Sequence, residues 1–89
     1  MRTTQSTVVF RQPFMLTGLE GWQPPGRYVI DTDEEVQELA SRRIYRRVAT
    51  YIYLGAKRLE LFLVNGNELA AALAEDERIS ALQKAPNHA

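Results

Sequence analysis

The chain contains no cysteine. Disulfide frameworks, thiolate metal sites and thiol nucleophiles are therefore excluded. Histidine is almost as scarce, and the only one, His88, falls in the last five residues, where a frayed tail is expected over 85–89. That removes histidine-based triads and histidine metal sites. No run of eighteen apolar residues occurs, so no membrane-crossing helix is expected. Residues 1–10 do not join a charged start to a long apolar stretch, so no secretory leader is expected and the cytoplasm is the expected compartment. Neither sign of charge is in excess, with 11 Lys and Arg against 11 Asp and Glu, so net charge names no partner. The three serines, Ser6, Ser41 and Ser80, sit in no nucleophile elbow. Gly18-x-x-Gly21 carries a glutamate and lacks the basic partner of a phosphate-cradling loop. Asp31, Asp33 and Glu35 alternate like the start of a calcium loop, but Val36 stands where glycine is needed and Arg42 where glutamate is. No catalytic residue, metal site or cofactor is expected, and the chain reads as a non-enzyme.

What is present is ordinary for a folded domain. With 89 residues, 45% hydrophobic and 25% charged, the chain supports a single small domain, here 1–84. Residues 3–11 are rich in Thr, Val and Phe and read as a strand that ends at Pro13. Phe14–Leu16 reads as a second short extended piece, and 18–26, with three glycines and Pro24-Pro25, as a loop. Residues 27–31 form the next strand. The middle admits two readings. Thr32 and Glu35 fit a capping box for a helix over about 33–47, and Val36, Leu39, Ala40, Ile44 and Val48 follow helical spacing. Against this, 44–54 is dense in β-branched and aromatic residues and alternates, so it is assigned as a strand, with 33–41 either a short helix or a bent strand. In that alternation Ile44, Val48, Ile52 and Leu54 share one face, and Tyr45, Arg47, Ala49, Tyr51 and Tyr53 the other.

Gly55–Lys57 is short enough for a hairpin turn into a return strand over 58–64, with Leu59, Leu61 and Leu63 on one face and Glu60, Phe62 and Val64 on the other. Asn65 and Glu68 make a second capping signal before a helix over 67–75, whose buried stripe is Leu69, Ala72 and Leu73. The stripe loses phase near Asp76, where a break is expected. The fold class is α+β: an antiparallel sheet of four to five strands, open or barrel-like, with a C-terminal helix, the alternative adding a central helix.

Charge is segregated along the chain. Residues 31–38 hold five acids and no base; 39–58 hold Arg42, Arg43, Arg46, Arg47, Lys57 and Arg58 and no acid. Arg42, Arg43, Arg46 and Arg47 beside Tyr45, with Tyr51 and Tyr53 following, are candidates for an interaction surface, because arginine and tyrosine serve both protein interfaces and unpaired bases. Neutral net charge and flanking acids favour a protein partner over nucleic acid, and the plainest reading pairs the arginines with the 31–38 carboxylates. Trp22, beside the prolines, reads first as a lid on the core and second as an exposed anchor. Phe62, in the near-continuously apolar 58–64 strand, is a candidate for an interface between copies.

Phe10, Pro13-Phe14, Gly18, Pro25-Gly26, Tyr28, Thr32-Asp33-Glu34-Glu35 and Tyr45-Arg46-Arg47-Val48-Ala49-Thr50 together resemble a group of short bacterial proteins of uncharacterised function. The resemblance spans about residues 10–50 and implies a free-standing small bacterial protein; it carries no activity or site residues. The expected function is an interaction or structural module that self-associates as a homodimer or binds another protein, with single-stranded nucleic acid on residues 42–53 as the alternative.

Overall fold

The computed structural model describes residues 1–55 and 59–84. Four strands, β1 (Arg2–Phe10), β2 (Gly26–Leu39), β3 (Arg42–Leu54) and β4 (Glu60–Val64), precede one helix, α1 (Gly66–Lys84). The strands pair antiparallel in chain order, β1-β2-β3-β4, and the sheet stays open instead of closing into a barrel. This is the α+β class expected. The central helix is not: residues 33–39 continue β2. Each capping residue of the would-be helix has a cross-strand partner instead, Thr32 opposite Thr50 and Glu35 opposite Arg46. A long hairpin satisfies every second backbone group on β3, which a 33–47 helix would leave without a ladder.

Paired residues share a face of the sheet. Phe10, Tyr28, Ile30, Ile52, Phe62 and Val64 lie on one face, and the buried core of Phe10, Phe14, Leu16, Ile30, Ile52, Val64 and Leu69 forms there, under α1 and the 11–25 segment. Phe10 and Phe14 stack with ring centroids 3.7 Å apart, and Tyr28 meets both rings edge-on. Phe14 pairs with Gln23 through two backbone hydrogen bonds, so the short extended piece expected at 14–16 is a single bridge across the proline-rich loop. That loop crosses β4 closely. A Cβ on Gly18, whose φ is +99°, would come 2.8 Å from the Leu63 carbonyl oxygen, so only glycine fits.

The helix runs unbroken to Lys84, without the break expected at Asp76. Its inward stripe does continue, but through polar residues: after Leu69 and Leu73 come Asp76 and Ser80, both buried. Asp76 accepts the backbone N–H groups of Arg11 (3.0 Å to each oxygen) and Gln12 (2.8 Å). The hydropathy pattern loses phase because a carboxylate takes a core position to hold a loop. Of the 55–57 turn only Gly55 lies among the described residues, and the 85–89 tail lies outside them.

The β2–β3 turn is the two-residue Ala40-Ser41, both left-handed at φ +47° and +66°. Such a pair matches the strand twist but suits Asn-Gly, and each L-residue there costs about 1 kcal/mol. The double variant Ala40→Asn, Ser41→Gly is expected to gain about 1–2 kcal/mol. Urea unfolding checks it; an unchanged midpoint would mean the turn contributes nothing to global stability.

Candidate functional site

β2 and β3 outrun their neighbours. β1 reaches only Glu34, and β4 only Thr50, so residues 35–46 form a two-stranded arm. The molecule is accordingly 61 Å in its longest dimension and 19 Å in its shortest. At the base of the arm the ladder slips. Asp33 pairs with Ala49 but Glu34 with Arg47, leaving Val48 as an extra residue. A β-bulge of this kind reverses the phase of every residue beyond it. Tyr45 and Arg47 therefore move to the helix-side face with Thr50 and Ile52. The expected face shared by Tyr45, Arg47, Ala49, Tyr51 and Tyr53 does not form, because Ala49, Tyr51 and Tyr53 lie on the opposite side.

The register sets a carboxylate opposite three of the four candidate arginines, all but Arg42. Arg43 lies opposite Glu38 and meets it at 3.3 Å, and Arg46 lies opposite Glu35. Arg42 follows the turn opposite Leu39. The one ion pair among these, Arg43 with Glu38, is exposed, so it orients the arm more than it stabilises it. Arg47 lies opposite Glu34, but that carboxylate is taken by Arg2 at 2.6 Å and also accepts the Thr4 hydroxyl. The hydrogen bond from Arg2 holds the Glu34 carboxyl below the usual carboxylate range. Arg2 also caps the Tyr45 ring, its guanidinium carbon 3.9 Å from the centroid.

The face away from α1 has no second layer among the described residues. Tyr51 lies opposite Leu63 and Tyr53 opposite Leu61, with the leucines 62% and 47% exposed. The Tyr53 hydroxyl donates to Asp31 at 2.6 Å, which raises its pKa and fixes the ring at the patch margin. Asp31 and Asp33 are hydrogen-bonded on this face by Gln5 and Thr3. Phe62 points the other way, partly buried against the core, so the interface candidates on β4 are Leu61 and Leu63 instead. Trp22 is 69% exposed and is no lid; it borders a groove with Phe14, Met15 and Ile79. The core closes without it because Phe10, Phe14 and Tyr28 fill that end.

One constellation escaped the sequence reading. The bulge aims Arg47 at the head of α1, where Thr17, Gly18, Thr50, Asn65, Gly66 and Asn67 join it around a cavity of about 500 Å³. Asn65 caps the helix, its side-chain oxygen accepting the Glu68 N–H at 3.0 Å, as its spacing from Glu68 predicts. Glu68 in turn accepts the N–H and hydroxyl of Thr17 at 2.6 and 2.9 Å. No local motif announces this cluster, since its members come from three separate stretches of chain.

Among the described residues no group of three His, Cys, Asp or Glu could hold a metal ion, and no helix is long and apolar enough to cross a membrane. Compared with protein families, curated proteins and solved structures, the chain matches none.

Proposed function

We propose that the protein is a non-enzymatic interaction module, a small cytoplasmic bacterial protein that associates with a second copy of itself through the open sheet face. One observation carries this reading: Tyr51, Tyr53, Leu61 and Leu63 form a contiguous apolar surface that no described residue covers. Antiparallel sheets tolerate a wet face when its residues are polar. The β1–β2 half of this face obeys, with Thr3, Gln5, Asp31 and Asp33; the β3–β4 half does not. The apolar character continues into the arm through Ile44 and Leu39, 41% and 56% exposed. A lone two-stranded ribbon is marginally stable in water, so the arm gains by lying against a partner. Its strands are also of opposite sign, Glu35 and Glu38 on β2 and Arg42, Arg43 and Arg46 on β3, which suits reciprocal contact across a two-fold axis.

The alternative, single-stranded nucleic acid on residues 42–53, is less well supported. Three of its arginines face carboxylates across the ladder, and its tyrosines fall on different faces.

Light scattering coupled to size exclusion tests the proposal. The wild type should elute with the mass of a dimer, and Leu61→Glu with Leu63→Glu should weaken association by about 100-fold or more while keeping the circular dichroism spectrum. A monomeric wild type, or an intact dimer in the double variant, would sink it.

A further inference from the structure

We infer that residues 35–46 form an arm that swings on the β-bulge at its base and is latched to the body of the sheet by Arg2. The device lies within one chain, so it does not depend on self-association.

The base of the arm is built as a hinge. Going outward, β4 stops pairing at Thr50, the β2–β3 ladder slips between Asp33 and Glu34, and β1 stops pairing at Glu34. Beyond that level each strand of the arm has one neighbour, the other strand. A bulge interrupts the ladder and bends its strand, and a lone two-stranded ribbon has no lateral support to fix its angle. A few residues at the end of a supported element are where swinging motions are absorbed. Among the described residues no side-chain hydrogen bond joins 35–46 to the rest of the chain; the one the arm makes, Arg43 to Glu38, stays within it.

Arg2 spans this hinge. Arg2, Glu34 and Arg47 lie side by side on β1, β2 and β3, on the helix-side face, and make the last row of the body. Val36 and Tyr45, paired two residues further out, make the first row of the arm on the same face. Arg2 holds both rows. Its Nε and Nη2 donate to Glu34 at 3.1 and 2.6 Å, while its guanidinium carbon lies 3.9 Å from the centre of the Tyr45 ring. A planar guanidinium can serve a carboxylate with its edge and a ring with its face at once. The Glu34 side chain is 19% exposed, against 74% for Glu38 in the arm's own pair, so solvent screens the latch less.

The open state is also provided for. Arg47 stands directly opposite Glu34 and makes no ion pair among the described residues. Both guanidiniums, Arg2 the more strongly, hold the Glu34 carboxyl below the usual carboxylate range. When Arg2 lets go, Glu34 turns to Arg47 across the ladder, so the carboxylate exchanges one partner for another. Tyr45 alone loses its clamp, and the arm is released. A partner that takes up the arm therefore has only this contact to displace.

The chain has no cysteine, so Gln37→Cys on the arm and Ala74→Cys on α1, both exposed, place two nitroxide labels without background. The doubly labelled chain, diluted into excess unlabelled protein so that only distances within one chain are read, gives its distance distribution by pulsed electron paramagnetic resonance. The parent should give one narrow distribution. Arg2→Gln and Tyr45→Leu should each widen it about twofold or more, and Arg43→Gln, which breaks the pair inside the arm, should not. Circular dichroism checks that each variant stays folded; if Arg2→Gln does not, Tyr45→Leu, which leaves Arg2 on Glu34, decides. A parent distribution already broad, a parental width in a folded Arg2→Gln or in Tyr45→Leu, or equal widening by Arg43→Gln would overturn the latch.

Discussion

Replacing Asp76 by leucine is expected to lower the unfolding free energy by about 3 kcal/mol. The carboxylate is 7% exposed and is the acceptor for two consecutive backbone amides, those of Arg11 and Gln12. Hydrogen bonds to a charged acceptor contribute more than neutral ones, and their loss strands both amides against the helix. Those amides begin the segment that delivers Phe14 and Leu16 to the core, so the damage should spread from the loop to the packing. Asp76→Asn keeps one acceptor oxygen and should lose about half as much. For a domain of this size the leucine variant should melt about 12–24 °C lower. Thermal unfolding of the three proteins checks the order; a leucine variant as stable as the wild type would show that the 11–12 corner is held by other contacts.

Phe10→Ala should cost about 3–5 kcal/mol, comparable to the whole stability of many domains this small. Phe10 is 1% exposed, stacks on Phe14 and ends the strand whose register aligns β1 with β2. Removing the ring opens a cavity bounded by Phe14 and Tyr28, and neither ring can move to fill it without losing its own contacts. Loss of near-ultraviolet dichroism at ambient temperature is the expected result, with Phe10→Leu retaining most of the signal. A fully folded alanine variant would mean that the Phe14–Tyr28 pair suffices to close this end.

The elements that local chemistry decides were legible in the chain. Asn65 and Glu68 announced the start of α1 because a capping box needs only four consecutive residues. The strand at 44–54 was legible from its β-branched and aromatic side chains. The acidic and basic blocks pointed to each other, and the hairpin sets Glu35 against Arg46 and Glu38 against Arg43. The 33–39 segment was ambiguous because Thr32-Asp33-Glu34-Glu35 is a sound helix start in isolation. Pairing with β3 along its whole length outweighed that local preference, as tertiary context does for a weak propensity.

By itself, then, the sequence determined the α+β class, the absence of thiol chemistry, the cap of the C-terminal helix and the separation of charge into complementary strands. Tertiary structure alone decided which side chains meet. Val48 is unremarkable in the chain, and only the count of residues on β2 makes it a bulge. That one extra residue turns Arg47 and Tyr45 toward the helix and leaves Tyr51 and Tyr53 behind, because strand faces alternate with period two. Asp76 reads as a solvated acid until the Arg11 and Gln12 amides reach it from more than sixty residues away. Local rules see neighbours along the chain; register and burial are fixed by partners that the chain brings together only on folding.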